Sequence, residues 1–141
     1  MKIRGGCHCG NIGFELDFPG EAKDLAVRAC TCSFCVKHGG AWTSHREGRL
    51  VAKLKDASRV SRYRMGSGTA EFYVCARCGA VPLATSDIDS RLYAVVNVNT
   101  FEGVDAVALT RAPVSFEGEA LDARLSRRRQ RWVADVVVLS T

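Results

Sequence analysis

Along Ile12-Gly13-Phe14-Glu15-Leu16-Asp17-Phe18 the even positions are apolar, while Glu15 and Asp17 fall between them. Side chains alternate across a strand, so this pattern predicts a half-buried strand with Glu15 and Asp17 facing water. Short runs at 50–54, 59–64, 71–74, 92–98, 113–117 and 133–139 predict further strands. Most are rich in β-branched or aromatic residues and are flanked by Gly, Ser, Asp or Pro. Helical periodicity is sparse. Ser33 to Gly39 predicts a single turn, and Leu121 to Trp132 carries Leu121, Leu125 and Trp132 at roughly helical spacing. A helix that short is marginal in water and would depend on packing. The pattern predicts an all-β fold with little helix.

With 141 residues, 47% of them hydrophobic, the chain is of a size for one compact domain, expected over residues 1–141. No low-complexity tract or repeat marks an internal boundary. The opening Met-Lys-Ile-Arg-Gly-Gly-Cys-His-Cys-Gly has no apolar leader, and no stretch approaches the length of a membrane span. A soluble cytoplasmic protein is therefore expected. The net charge of +5 is concentrated near Arg127, Arg128, Arg129 and Arg131. No aromatic platform or reading helix accompanies these arginines, so nucleic acid is not the expected partner. A solvated face, or attraction of a small anionic substrate, accounts for the charge equally well.

Seven cysteines, grouped as C-x-C, C-x-C-x-x-C and C-x-x-C, form an odd set that suits thiolate ligation better than a disulfide framework. Zinc takes about four ligands in a tetrahedron, so closely spaced cysteine pairs are its natural unit. Cys7 and Cys9 with Cys75 and Cys78 make one closed set, in which metal binding offsets the entropy of closing the long intervening loop. Gly79 suits the tight turn after Cys78, and His8 is expected to point away from the metal. Cys30, Cys32 and Cys35 leave three sulfurs and no fourth cysteine. Three protein ligands with an open position is the arrangement of catalytic zinc. Alternatively His38, three residues past Cys35, closes the set and makes it structural. Two zinc ions per chain are expected. Three thiolates leave an open site net anionic, a poor activator of water but a good seat for a soft thiol ligand.

At these residues the chain resembles the glutathione-dependent formaldehyde-activating enzymes, a group that includes the centromere protein V domain. The matching pieces are Gly6-Cys7-His8-Cys9-Gly10, Cys30-Thr31-Cys32-Ser33-Phe34-Cys35-Val36-Lys37 with Gly40, Val74-Cys75-Ala76-Arg77-Cys78-Gly79, and Val96-Asn97-Val98-Asn99 leading to Gly103-Val104-Asp105. They lie in order over roughly residues 3 to 117. The resemblance implies an Mss4-like all-β fold of short antiparallel sheets folded over one another. It also implies that Cys7, Cys9, Cys75 and Cys78 are structural and that Cys30, Cys32 and Cys35 are catalytic. The activity implied is that of a carbon–sulfur lyase, with glutathione as thiol, formaldehyde as aldehyde and the S-hydroxymethyl adduct as product. Where that family often carries Arg-Lys, this chain has Val36-Lys37, one cation fewer. The alternative function is a non-catalytic zinc module for a protein or nucleic-acid partner. By position, Lys37, His38 and His45 are candidate proton donors, and Asn97 and Asn99 are candidates to face a cleft. Trp42 and Phe34 are expected to shield the metal, and Phe72 and Tyr73 to brace the Cys75 turn.

Overall fold

The computed structural model describes residues 1–141, the side chain of Val107 excepted. Its elements are β1 (Lys2–Gly6), β2 (Ile12–Asp17), β3 (Val27–Cys30), α1 (Ser33–His38), β4 (Trp42–Thr43), β5 (Arg49–Leu54), β6 (Val60–Tyr63), β7 (Glu71–Cys75), β8 (Leu83–Ile88), β9 (Arg91–Asn97), β10 (Phe101–Glu102), β11 (Arg111–Val114), α2 (Leu121–Arg131) and β12 (Asp135–Ser140). The all-β expectation holds. The strands form two sheets, one of five in the order β10-β1-β2-β5-β12 and one of seven in the order β11-β3-β4-β9-β8-β7-β6. Pairing is antiparallel except at two edges, where β12 runs parallel to β5 and β11 parallel to β3.

In β2, Ile12, Phe14 and Leu16 are buried as the alternation predicts, and Phe18 follows them inward. They face the space between the sheets, where Ile3, Leu50 and Leu54 of the five-stranded sheet meet Leu83, Ala94 and Val96 of the other in one apolar cluster. Gly5 of β1 is fixed by this packing: a Cβ there would lie 2.4 Å from the Phe14 ring and 2.6 Å from the Thr100 carbonyl oxygen.

The central strand β9 is buried on both faces, which explains its unbroken apolar run. Ala94 and Val96 face the first core, whereas Tyr93 and Val95 join a second cluster with Cys35, Trp42, Ala84, Ile88 and Trp132. That second cluster lies on the other face of the seven-stranded sheet. Leu125 of α2 packs against it.

Two sequence expectations shift. The strand read at 113–117 lies at Arg111–Val114. Helix α2 forms as expected but turns a different face inward: Leu121 is 50% exposed, while Arg128 is 6% exposed and Trp132 is buried. Strands β1, β3, β4, β8 and β10 carried no usable signal. β4 and β10 have two residues each, and β8 has the polar Thr85 and Ser86 buried mid-strand.

Candidate metal centres and the adjoining cavity

The turn between β1 and β2 brings Cys7 and Cys9 together, and the turn after β7 does the same for Cys75 and Cys78. Gly79 takes φ +82° there, as the tight turn requires, and donates its N–H to the Cys75 carbonyl at 2.8 Å. The four sulfurs lie within 4.8 Å of one another and form a group able to hold a metal ion. Cys7 and Cys9 sulfurs are 3.7 Å apart, Cys9 and Cys75 sulfurs 3.5 Å, and all seven cysteines are free thiols. Sulfurs at about 2.3 Å from a tetrahedral zinc sit about 3.8 Å from each other, so the donor set fits zinc. His8 is not part of the group.

Backbone donors shape the thiols' acidity. Burial opposes ionisation of Cys78, but N–H groups of Ala80 and Cys9 outweigh it and hold that thiol at about 6. Cys75 is also lowered, against burial, by the N–H groups of Cys78 and Arg77. Burial pushes Cys7 up to about 12, although the Ile12 N–H donates to its sulfur at 3.1 Å. Such clusters share protons among their members, and metal binding displaces them.

Cys30 ends β3, Cys32 is the N-cap of α1, and Cys35 lies one turn into that helix. The Cys32 sulfur accepts the Cys35 N–H at 3.4 Å, doing what a serine or aspartate oxygen does at an ordinary N-cap. Gly39, at φ +74°, ends the helix. The three sulfurs form the second group able to hold a metal. Hydrogen bonding from Cys35, then from Cys32, holds the Cys30 thiol down to about 5 against its burial. The proton stays on Cys35, which is raised for the same reason. The indole N–H of Trp42 donates to the Cys35 sulfur at 3.4 Å. This contact had no sequence signal, because it depends on β4 pairing beside β3.

His38 does not close this group. Its nitrogens stand outside the sulfur cluster, and its ring packs on Phe34 at 4.5 Å and Trp42 at 5.9 Å. Its Nε2 is buried without a hydrogen-bond partner, and burial lowers its pKa, which favours the neutral ring. Other expected site residues are also elsewhere. Val36 is 64% exposed and Lys37 is exposed. His45 packs edge-on against Phe18. Asn97 is buried as a bracket, accepting N–H bonds from Ala41 and Asn99 and donating to the Val81 carbonyl. Asn99 donates to the Gly39 carbonyl and accepts from Arg111. Neither asparagine lines the cavity beside the cysteines. Phe72 packs against Phe34 and Trp42, and the Tyr73 hydroxyl accepts bonds from Thr85 and Arg62.

That cavity, of about 520 Å³, has Cys30, Cys32, Cys35, Trp42 and Phe72 on one side. Arg28, Arg124, Arg127 and Arg128 also line it, together with Glu117 and smaller or apolar residues such as Ser67, Ala84 and Phe116. Two members of the basic run thus line a pocket instead of a solvated face, whereas Arg129 pairs with Asp89 at the surface. The first cluster, by contrast, has all four corners filled by protein sulfur.

The protein is thus a two-sheet β fold with two cysteine groups that could each hold a metal ion, one of four sulfurs and one of three beside a cavity. Residues 2–113 match the model of the family described as glutathione-dependent formaldehyde-activating enzyme, and the chain belongs to that family. The fold is similar to that in a crystal structure of a Rhodobacter sphaeroides protein, with 28% identity and a TM-score of 0.57 over 78% of this chain and 97% of that one.

Proposed function

We propose that the chain is a zinc-dependent carbon–sulfur lyase-type enzyme that joins and separates glutathione, or a similar thiol, and a small aldehyde such as formaldehyde. The observation that carries this reading is the contrast between the two sulfur groups. One is complete; the other has three protein ligands on a cavity wall and, among the described residues, no fourth His, Cys, Asp or Glu within its group. Both donor sets suit zinc, and at Cys30, Cys32 and Cys35 the ion would supply a position for a substrate sulfur and favour loss of its proton.

The chain's own residues prepare that position. Trp42 holds the Cys35 sulfur through its indole N–H, and the Cys35 backbone N–H holds Cys32, so two of the three sulfurs are fixed in place. Trp42 and Phe72 keep one side of the cavity apolar and limit water there. In the forward direction the thiolate sulfur forms a bond to the aldehyde carbon, the C=O π pair moves to oxygen, and a proton taken up there completes the hydroxymethyl thioether. The reverse reaction returns the same proton and breaks the C–S bond. Guanidinium N–H groups on the wall, Arg127 among them, present donors to the developing oxyanion, and the charge of Arg127 acts on Cys30.

NMR exchange between formaldehyde and its glutathione adduct tests the reading. Wild type should accelerate the exchange and Cys32→Ser should abolish the acceleration; equal rates would remove the proposed chemistry. A non-catalytic zinc module predicts instead a fourth protein ligand on the second metal. X-ray absorption that found seven sulfurs and one imidazole nitrogen across two zinc ions would favour that module.

A further inference from the structure

The rest of the cavity wall has no part in holding metal, and it carries four arginines against one lining carboxylate, Glu117. Helix α2 presents Arg124, Arg127 and Arg128 to the cavity; β3 adds Arg28, two residues before Cys30 and so on the same face of the strand. Glu119, a single carboxylate just before the helix, bridges two of them, pairing with Arg127 at 3.0 Å and with Arg124 at 3.4 Å. Arg28 and Arg128 are in no ion pair among the described residues. They are held by neutral hydroxyls: Arg28 donates to Ser44 at 2.9 Å, and Arg128 donates to Thr69 at 2.8 Å and Ser86 at 3.1 Å. Hydroxyls fix a guanidinium without cancelling its charge, and each guanidinium has five N–H donors to offer. The Nε of Arg128 is buried with no partner.

Arg128 is 6% exposed and Arg28 is half-buried, so neither charge is freely hydrated. Unpaired charges in a cavity wall are costly unless a ligand offsets them. The cost is recovered by an oxyanion, which guanidinium groups bind in charge-assisted, often bidentate fashion. Helix α2 lies beyond the residues that match the family model, so Arg124, Arg127 and Arg128 come from outside the matched segment, whereas Arg28 lies within it.

We propose that Arg28 and Arg128 form the subsite for a carboxylate of the thiol substrate, so that this chain selects anionic over neutral thiols and α2 supplies part of that selection. The inference rests on the reading of the Cys30, Cys32 and Cys35 cavity as the substrate site. A carboxylate on the wall leaves the sulfur of the same molecule facing the cysteine side of one cavity. The arginines then orient the thiol as well as attract it.

The test is calorimetric binding of S-methylglutathione and of its dimethyl ester to the zinc-loaded protein. Both probes lack a free thiol, so binding is read apart from chemistry. Wild type should bind the acid at least tenfold more tightly than the ester. Arg28→Met should remove about tenfold of the affinity for the acid and leave the ester unchanged, with Arg28→Lys recovering part of the loss. Arg128→Gln, which keeps hydrogen-bonding capacity toward Thr69 and Ser86, should act in the same direction; its urea midpoint checks folding. Equal wild-type affinities for acid and ester would overturn the proposal, as would failure of the acid to bind. So would equal losses for both probes in Arg28→Met, since the cations would then only balance the thiolate cluster. Any of these results alongside intact formaldehyde–glutathione exchange would sink the carboxylate subsite and leave the proposed chemistry standing.

Discussion

Polar residues near the cysteines divide by what their atoms already hold. Asn97 is 4% exposed and spends its side chain on the Ala41 and Asn99 N–H groups and the Val81 carbonyl. It therefore ties the α1–β4 connection to the end of β9 and has nothing left for a substrate. Asn97→Ala would strand these buried partners, a loss of about 2–4 kcal/mol. A urea titration should show the lower midpoint, while the folded fraction keeps its exchange activity; an unchanged midpoint would contradict the bracket role. In the sequence Asn97 and Asn99 alternate with valines and read as a strand face open to a cleft. They share no such face: β9 ends at Asn97, Asn99 lies in the turn that follows, and the burial of Asn97 as a backbone bracket depends on β4 pairing with β9, a contact remote in sequence. The cysteines were legible for the opposite reason: thiolate spacing is local, and the turns at Gly79 and Gly39 need only nearby residues.

Helix α2 shows what periodicity leaves out at the scale of an element. Its leucine and tryptophan spacing gave the helix correctly, yet the buried face is largely arginine. Such a face is stable only because partners await it: Thr69 and Ser86, far away in sequence, hold Arg128, while Glu119 and Phe116, just before the helix, hold Arg124 and Arg127. Glu119 sits just before the helix and binds Arg127 through both carboxylate oxygens, at 3.0 and 3.1 Å. The Arg127 bond, followed by the nearby positive charges, lowers the Glu119 pKa from its ordinary value. A carboxyl depressed in the folded state adds stability that is present above its unfolded pKa and is lost as pH falls through the folded value. Glu119→Gln should therefore cost about 1–2 kcal/mol at neutral pH, since both side chains are less than one fifth exposed. The gap between wild type and variant should close as pH drops below the ordinary carboxylate range. Urea midpoints measured from pH 7 down to pH 3 check this; a gap that stays constant with pH would show that Glu119 acts through packing.

For the whole molecule, the two sulfur groups have different mechanical positions. Cys7 and Cys9 leave the five-stranded sheet, whereas Cys75 and Cys78 belong to the seven-stranded one. A metal held by all four would clip the sheets together at one end of their shared core, adding its binding free energy to folding. Cys30, Cys32 and Cys35 all belong to the β3–α1 segment, whose strand is part of the seven-stranded sheet, so a metal there closes only a short loop and ties no second sheet. Loss of one ligand should thus have unequal effects. Cys9→Ser should lower stability by about 3 kcal/mol or more and reduce bound zinc toward one per chain. Cys32→Ser should leave the fold within about 1 kcal/mol of wild type, because serine is itself a favoured N-cap and keeps an acceptor for the Cys35 N–H. Zinc content by atomic absorption and urea midpoints, taken on the same samples, separate the two. A Cys9→Ser protein as stable as wild type would show that the sheets hold together through their apolar core alone and that the four-cysteine group is not structural.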